Sequence, residues 1–120
     1  MAIHQGLSRL IAGWFQSGYD LLLTPTMAEV APKLGEIDTS QPDLAAYRRC
    51  LPSGAFTALF NLTGQPGINV PLHWTEEGVP VGAQFVAPFG REDLLIRIAA
   101  QLEKAAPWAE RTPPVFAAAG

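Results

Sequence analysis

The sequence predicts a mixed α/β chain running helix, strand, loop, helix, hairpin, helix. Three observations carry that expectation. Apolar residues recur at helical spacing near both ends of the chain, Leu7 to Phe15 and Leu94 to Leu102. A short apolar run, Tyr19 to Thr24, has the character of a strand. Between residues 68 and 86, β-type runs flank the turn residues Thr75-Glu-Glu-Gly78, as in a hairpin.

The first helix is expected over Ala2 to Gln16, with Leu7, Leu10, Ile11, Trp14 and Phe15 on its apolar face. Ser17-Gly18 supplies its stop, since glycine accepts the left-handed conformation after a last turn. Tyr19 to Thr24 lacks alternation, so it reads as a strand buried on both faces and paired in parallel. Pro25 is expected to stop it, having no N–H for a ladder. From Met27 to Pro52 the pattern dissolves among prolines, and only Leu44 to Leu51 suggests a short helix. Loops of that length serve binding or wrap around another body.

Ser53 to Leu62 reads as the next helix, with Ser53 as N-cap, Phe56, Leu59 and Phe60 on one face, and Gly64 as its end. Ile68 to Leu72 is expected as a strand. Val79 to Val86 should return beside it, with Val79, Val81, Ala83 and Phe85 alternating against Pro80, Gly82 and Gln84. The last helix, Glu92 to Lys104, opens on two acids that suit the positive end of its dipole. Leu94, Leu95, Ile98, Ala99 and Leu102 form its apolar face, and Asp93 stands four residues from Arg97. The tail with Pro107, Pro113 and Pro114 is expected to be extended and peripheral.

One domain at most fits in 120 residues. Charged residues form 16% and hydrophobic ones 48% of the chain. A small domain has much surface to cover, so this shortage of charge suggests that another body covers part of it. The net charge of −3 shows no basic clustering, which argues against nucleic acid. No basic start with an apolar stretch marks a signal peptide, and no run reaches the roughly 20 residues of a membrane span. Cys50 is alone, which excludes an internal disulfide and favours a reducing compartment, with cytoplasm as the expectation.

Chemistry is sparse. Ser8, Ser17, Ser40 and Ser53 each have a structural role at hand, and none lies in a Gly-x-Ser-x-Gly elbow. His4 and His73 have no metal-like spacing to each other or to Cys50, so neither a metal site nor a cofactor is expected. Glu76-Glu77 reads as a solvated turn. No complete active site is legible.

Three stretches nonetheless resemble amidase-signature enzymes. They are YDLLLTPTMAEVAPKLGEID (Tyr19 to Asp38), FTALFNLTGQPGINVPLHW (Phe56 to Trp74) and GVPVGAQFVAPFGREDLLIRIAAQLE (Gly78 to Glu103). They stand in the order found in the C-terminal third of that family, and the Lys-Leu-Gly-Glu-Ile-Asp wording is closest to bacterial amidases. The resemblance implies part of an α/β/α fold around a mixed sheet, in a hydrolase of carboxylic amides. In the family a serine nucleophile is activated through a second serine and a lysine. No stretch here matches that set: Lys33 lies in a Pro-flanked loop and Lys104 at a helix end. The expectation is therefore a C-terminal segment, inactive alone, whose partners are an N-terminal catalytic portion and a small-molecule amide substrate. It is expected to contribute sheet and one pocket wall. Thr26 and Met27 lie just beyond a strand end, where α/β folds place ligand contacts. Phe56, Thr57 and Asn61 match the family's Phe-Thr…Asn helix, which the resemblance places near the cleft. A cut sheet edge further predicts self-association. The competing reading is a non-catalytic module that binds a small molecule or a protein through its long loop.

Overall fold

The computed structural model describes residues 2–37, 40 and 44–116. Its elements are α1 (Ala2–Gln16), β1 (Leu22–Pro25), α2 (Leu44–Gly54), α3 (Ala58–Thr63), β2 (Gly67–Trp74), β3 (Pro80–Val86) and α4 (Glu92–Ala105). The element order is the one expected, with α1 at the expected bounds. The three strands form one sheet in the order β1-β3-β2, antiparallel throughout.

The centre of the sheet explains the layering. Successive strand residues point to opposite faces, and β3, flanked on both sides, buries both. Val86 is fully buried with Ile11, Phe15 and Phe60, so α1 and α3 cover one face. Phe85 is buried with Val70, Ala87 and Leu95, so α4 covers the other. The predicted apolar face of α4 is the face used: Leu94, Ile98, Ala99 and Leu102 all join this second cluster. On α1, Ile11 and Phe15 are buried while Leu10 stays 67% exposed.

Several expectations need correction. The first strand is shorter than Tyr19 to Thr24 and is an antiparallel edge, not a parallel strand buried on both faces. Its residues alternate in burial, with Leu23 60% exposed. Pro25 ends the strand from within, paired with Ala83. An edge position tolerates it because only one side of the strand needs its N–H groups. The helix α2 continues past Leu51 through Pro52, which costs one rung near the helix end. Ser53 therefore closes α2 instead of capping the next helix. The residue before α3 is Thr57, whose side chain makes no cap hydrogen bond. Gly64 does end α3, at φ 81°.

Two further differences are tertiary. Gln84, expected on the polar side of a strand, is only 7% exposed. Its amide donates to Thr24 Oγ1 at 3.0 Å and to the Phe56 carbonyl at 3.4 Å, tying the sheet to the α2–α3 turn. The tail is not wholly peripheral either. Trp108 packs on the α4 cluster, and the Arg111 guanidinium lies 4.1 Å from the centre of the Trp74 ring.

Candidate functional site

The chain leaves β1 at Pro25 and passes beside the middle of β2 and the start of β3, bordering an open cavity of about 270 Å³. Thr26, Met27, Glu29, Asn69, Pro71 and Gly82 contribute to its wall. The register that aligns Thr24, Asn69 and Gln84 across the three strands brings polar residues from β1 and β2 to one face of the sheet. Just past the strand end, Thr26 follows the same face. Its backbone N–H donates to the Gly82 carbonyl at 3.3 Å, and its hydroxyl donates to Asn69 Oδ1.

Gly82 makes that arrangement sterically possible. A Cβ built there would lie 2.0 Å from Asn69 Oδ1 and 2.9 Å from both Asn69 Cγ and Thr26 Oγ1. The Asn69 side chain thus lies flat across the space that any larger residue would occupy. In the sequence Gly82 is only a glycine within a strand pattern, and Asn69 carries no signal, because neither is meaningful without the cross-strand register.

The outer wall is tied down by α2. The Arg49 guanidinium bridges Glu29 and Glu36, the latter at 3.2 Å, and the Ala28 N–H donates to the Pro52 carbonyl at 3.1 Å. The hydrogen bond from Arg49 to Glu29, and then the charge of that carboxylate, raise the Arg49 pKa above its already high ordinary value. The Glu29 charge is therefore spent on a neighbour, so the wall of the cavity offers no unpaired ion of its own from this residue. Part of the long punctuated loop, residues 38, 39 and 41–43, lies outside the described residues.

The five expected positions divide. Thr26 and Met27 line the cavity. Phe56, Thr57 and Asn61 do not. The Phe56 carbonyl reaches the site only through Gln84 and Thr24. Thr57 Oγ1 faces the Gly54 carbonyl at 3.5 Å, while its own carbonyl accepts from Phe60 and Asn61. Asn61 is exposed on α3. Those three positions share the helix pattern of the resemblance but not the cavity.

Other features have structural occupations. The Ser8 and Ser17 hydroxyls donate to carbonyls of α1, at 3.0 and 2.6 Å. Lys33 and Lys104 are exposed. No group of three or more His, Cys, Asp or Glu suited to a metal ion occurs among the described residues. A recess of about 370 Å³ lies between the tail and the hairpin, but the guanidinium that lines it, Arg111, is engaged with Trp74. Among the described residues no helix is long and apolar enough to cross a membrane.

Helices on both faces of a small sheet, with a largely apolar cavity carrying a few polar groups beside the strands, define an α/β segment with a ligand-sized recess. The amidase family profile matches residues 1–96, and the chain belongs to the amidase family. It is 44% identical over 109 residues to a 6-aminohexanoate-cyclic-dimer hydrolase of Pseudomonas sp. (strain NK87), covering 86% of this chain and 22% of that protein. It is 36% identical over 99 residues to an acylamidase of Rhodococcus erythropolis, covering 82% and 21%. Among solved structures, a 6-aminohexanoate cyclic dimer hydrolase superposes with a TM-score of 0.77 at 40% identity, over 89% of this chain and 24% of the other. A glutamyl-tRNA(Gln) amidotransferase subunit from Thermotoga maritima gives 0.72 at 32% identity, over 91% and 22%. The chain thus spans about a fifth of the length of the relatives it matches. These matches establish the family. They do not confirm the expected placement at the C-terminal end.

Proposed function

We propose that this chain is a segment of an enzyme that hydrolyses carboxylic amide C–N bonds, in which it supplies sheet and one wall of the substrate pocket. The observation that carries the reading is the superposition at a TM-score of 0.77 and 40% identity on a cyclic dimer hydrolase of which it covers 24%. Thr26 and Met27 are the wall residues of that pocket. Of the helix-pattern positions Phe56, Thr57 and Asn61, Phe56 is tied to it, through its carbonyl, Gln84 and Thr24. The serine–serine–lysine machinery lies outside this segment, so the chain alone is inactive. The order of the three family-like stretches favours a position after that machinery. A lone, half-buried Cys50 suits a reducing compartment such as the cytoplasm.

A freestanding binding module is the weaker reading. Leu23, Leu34, Tyr47, Phe89 and Ile96 are all more than half exposed, which leaves apolar surface that a larger body would cover. Both outer strands, β1 and β2, present open edges. The isolated chain is accordingly expected to self-associate. Sedimentation at high concentration checks this, and a clean monomer counts against the cut-edge argument.

The central test measures acid release from aliphatic and aromatic amides, by the chain alone and with the remaining amidase portion supplied in trans. Activity only in the mixture supports the proposal. Activity in the chain alone means that a nucleophile lies within it, and the proposed division of labour fails. Sequence flanking this segment tests its placement. A Gly/Ser-rich stretch with a lysine upstream agrees with it, whereas the same stretch downstream reverses the placement and leaves the family membership intact.

A further inference from the structure

We infer that Asn69 is a specificity-determining residue, whose side-chain N–H group donates to a carbonyl oxygen carried on the substrate's acyl chain away from the scissile amide. The inference rests on the pocket-wall reading above and adds a chemical preference to it. A primary amide side chain has one acceptor oxygen and two N–H donors. The Thr26 hydroxyl donates to Oδ1 and so uses the acceptor. With Oδ1 placed against that hydroxyl, Nδ2 is the end that offers donors. Among the described residues no protein group accepts from Nδ2. Asn69 is exposed at the cavity wall, so a ligand can reach those donors.

The orientation is held from below as well. Asn69 lies across Gly82 in space that a single methyl group would fill. Around this donor the wall is largely apolar, with Met27, Val30, Pro71 and Val81. The nearby carboxylate, Glu29, is paired with Arg49. A neutral donor in an apolar setting fits a neutral acceptor on an aliphatic chain. It gives less to a bare hydrocarbon chain, which leaves the donor without a partner once water is displaced.

The variant that isolates this is Asn69→Asp in the full-length amidase that carries the segment. Aspartate keeps an oxygen for the Thr26 hydroxyl and the same shape, but replaces the N–H donors with an acceptor. Adipamide and hexanamide are the probes: both present a scissile amide on a six-carbon chain, and only adipamide has a distal carbonyl. Asn69→Asp is expected to raise KM for adipamide by about three- to tenfold, the range for loss of one hydrogen bond. KM for hexanamide should rise clearly less than KM for adipamide. Equal loss on both substrates, or no loss on either, overturns the inference.

If the wild-type enzyme hydrolyses neither compound, the amidase reading is what fails. The inference is then decided on the 120-residue chain by nuclear magnetic resonance. Displacement of the Asn69 side-chain NH2 signals by adipamide and not by hexane-1,6-diol supports a carbonyl-selective donor. Equal displacement by both, or none by either, overturns it.

Discussion

Replacing Gly82 with alanine places a methyl group where the Asn69 side chain now lies. The added carbon would sit 2.0 Å from Asn69 Oδ1 and 2.9 Å from Asn69 Cγ and from Thr26 Oγ1, closer than real contacts allow. Something must move, and the movable group is the end of Asn69. Swinging it away breaks its bond to the Thr26 hydroxyl, a loss of roughly 0.5–1.5 kcal/mol. Where the shift is incomplete, overpacking adds to this, for a total of about 1–3 kcal/mol. Alanine is also easier to hold in a strand than glycine, which offsets about 0.5 kcal/mol. The net expectation is a destabilisation of about 1–2 kcal/mol. The decisive assay is a double-mutant cycle in urea with Asn69→Ala. Once the Asn69 side chain is gone, only the Thr26 hydroxyl remains in the way, and it can rotate. Gly82→Ala should then cost less than about 0.5 kcal/mol, a coupling of about 1 kcal/mol between the two sites. If Gly82→Ala costs the same in both backgrounds, the glycine is not there to make room for Asn69, and the account of this wall is wrong.

Val86→Ala removes two methyl groups from a fully buried site and should cost about 2 kcal/mol, read from urea midpoints. Leu23→Ala, at an open edge, should cost under about 0.5 kcal/mol in the isolated chain and clearly more in the complete amidase, as read by denaturant midpoints in each. The hydrogen bond from Arg91 lowers the Asp93 pKa, so its contribution is present above the unfolded carboxylate's pKa and lost as pH falls through the lower folded one. The stability difference between wild type and Asp93→Asn should therefore shrink in thermal melts as pH falls from about 5 to 2. Arg49→Gln breaks two solvent-screened ion pairs and should leave global stability almost unchanged. The sensitive readout is hydrogen exchange at the Ala28 amide, which should accelerate as the cavity wall loosens, while exchange at Val86 stays slow.

Elements whose pattern is local are legible in the chain. The α4 face from Leu94 to Leu102 and the α1 bounds follow from apolar spacing, and Gly64 from the conformation a helix end requires. Expectation and structure part where the outcome depends on what lies alongside. Leu21 to Thr24 is apolar enough for a doubly buried strand, yet β1 has a neighbour on one side only, and Leu23 is exposed. Gln84 alternates like a surface residue, yet it stands in the central strand, where both faces are covered and its amide finds two acceptors. Thr26 and Met27 can be singled out beforehand because a strand end is a position readable from sequence. Asn69 and Gly82 cannot, since their meaning is one of distance across a sheet. Motif order and the family-like stretches, by themselves, determined that this is amidase-family sequence. Only the tertiary structure decided which side chains share the cavity, because antiparallel register brings Thr26, Asn69 and Gly82 within contact although up to 56 positions separate them along the chain.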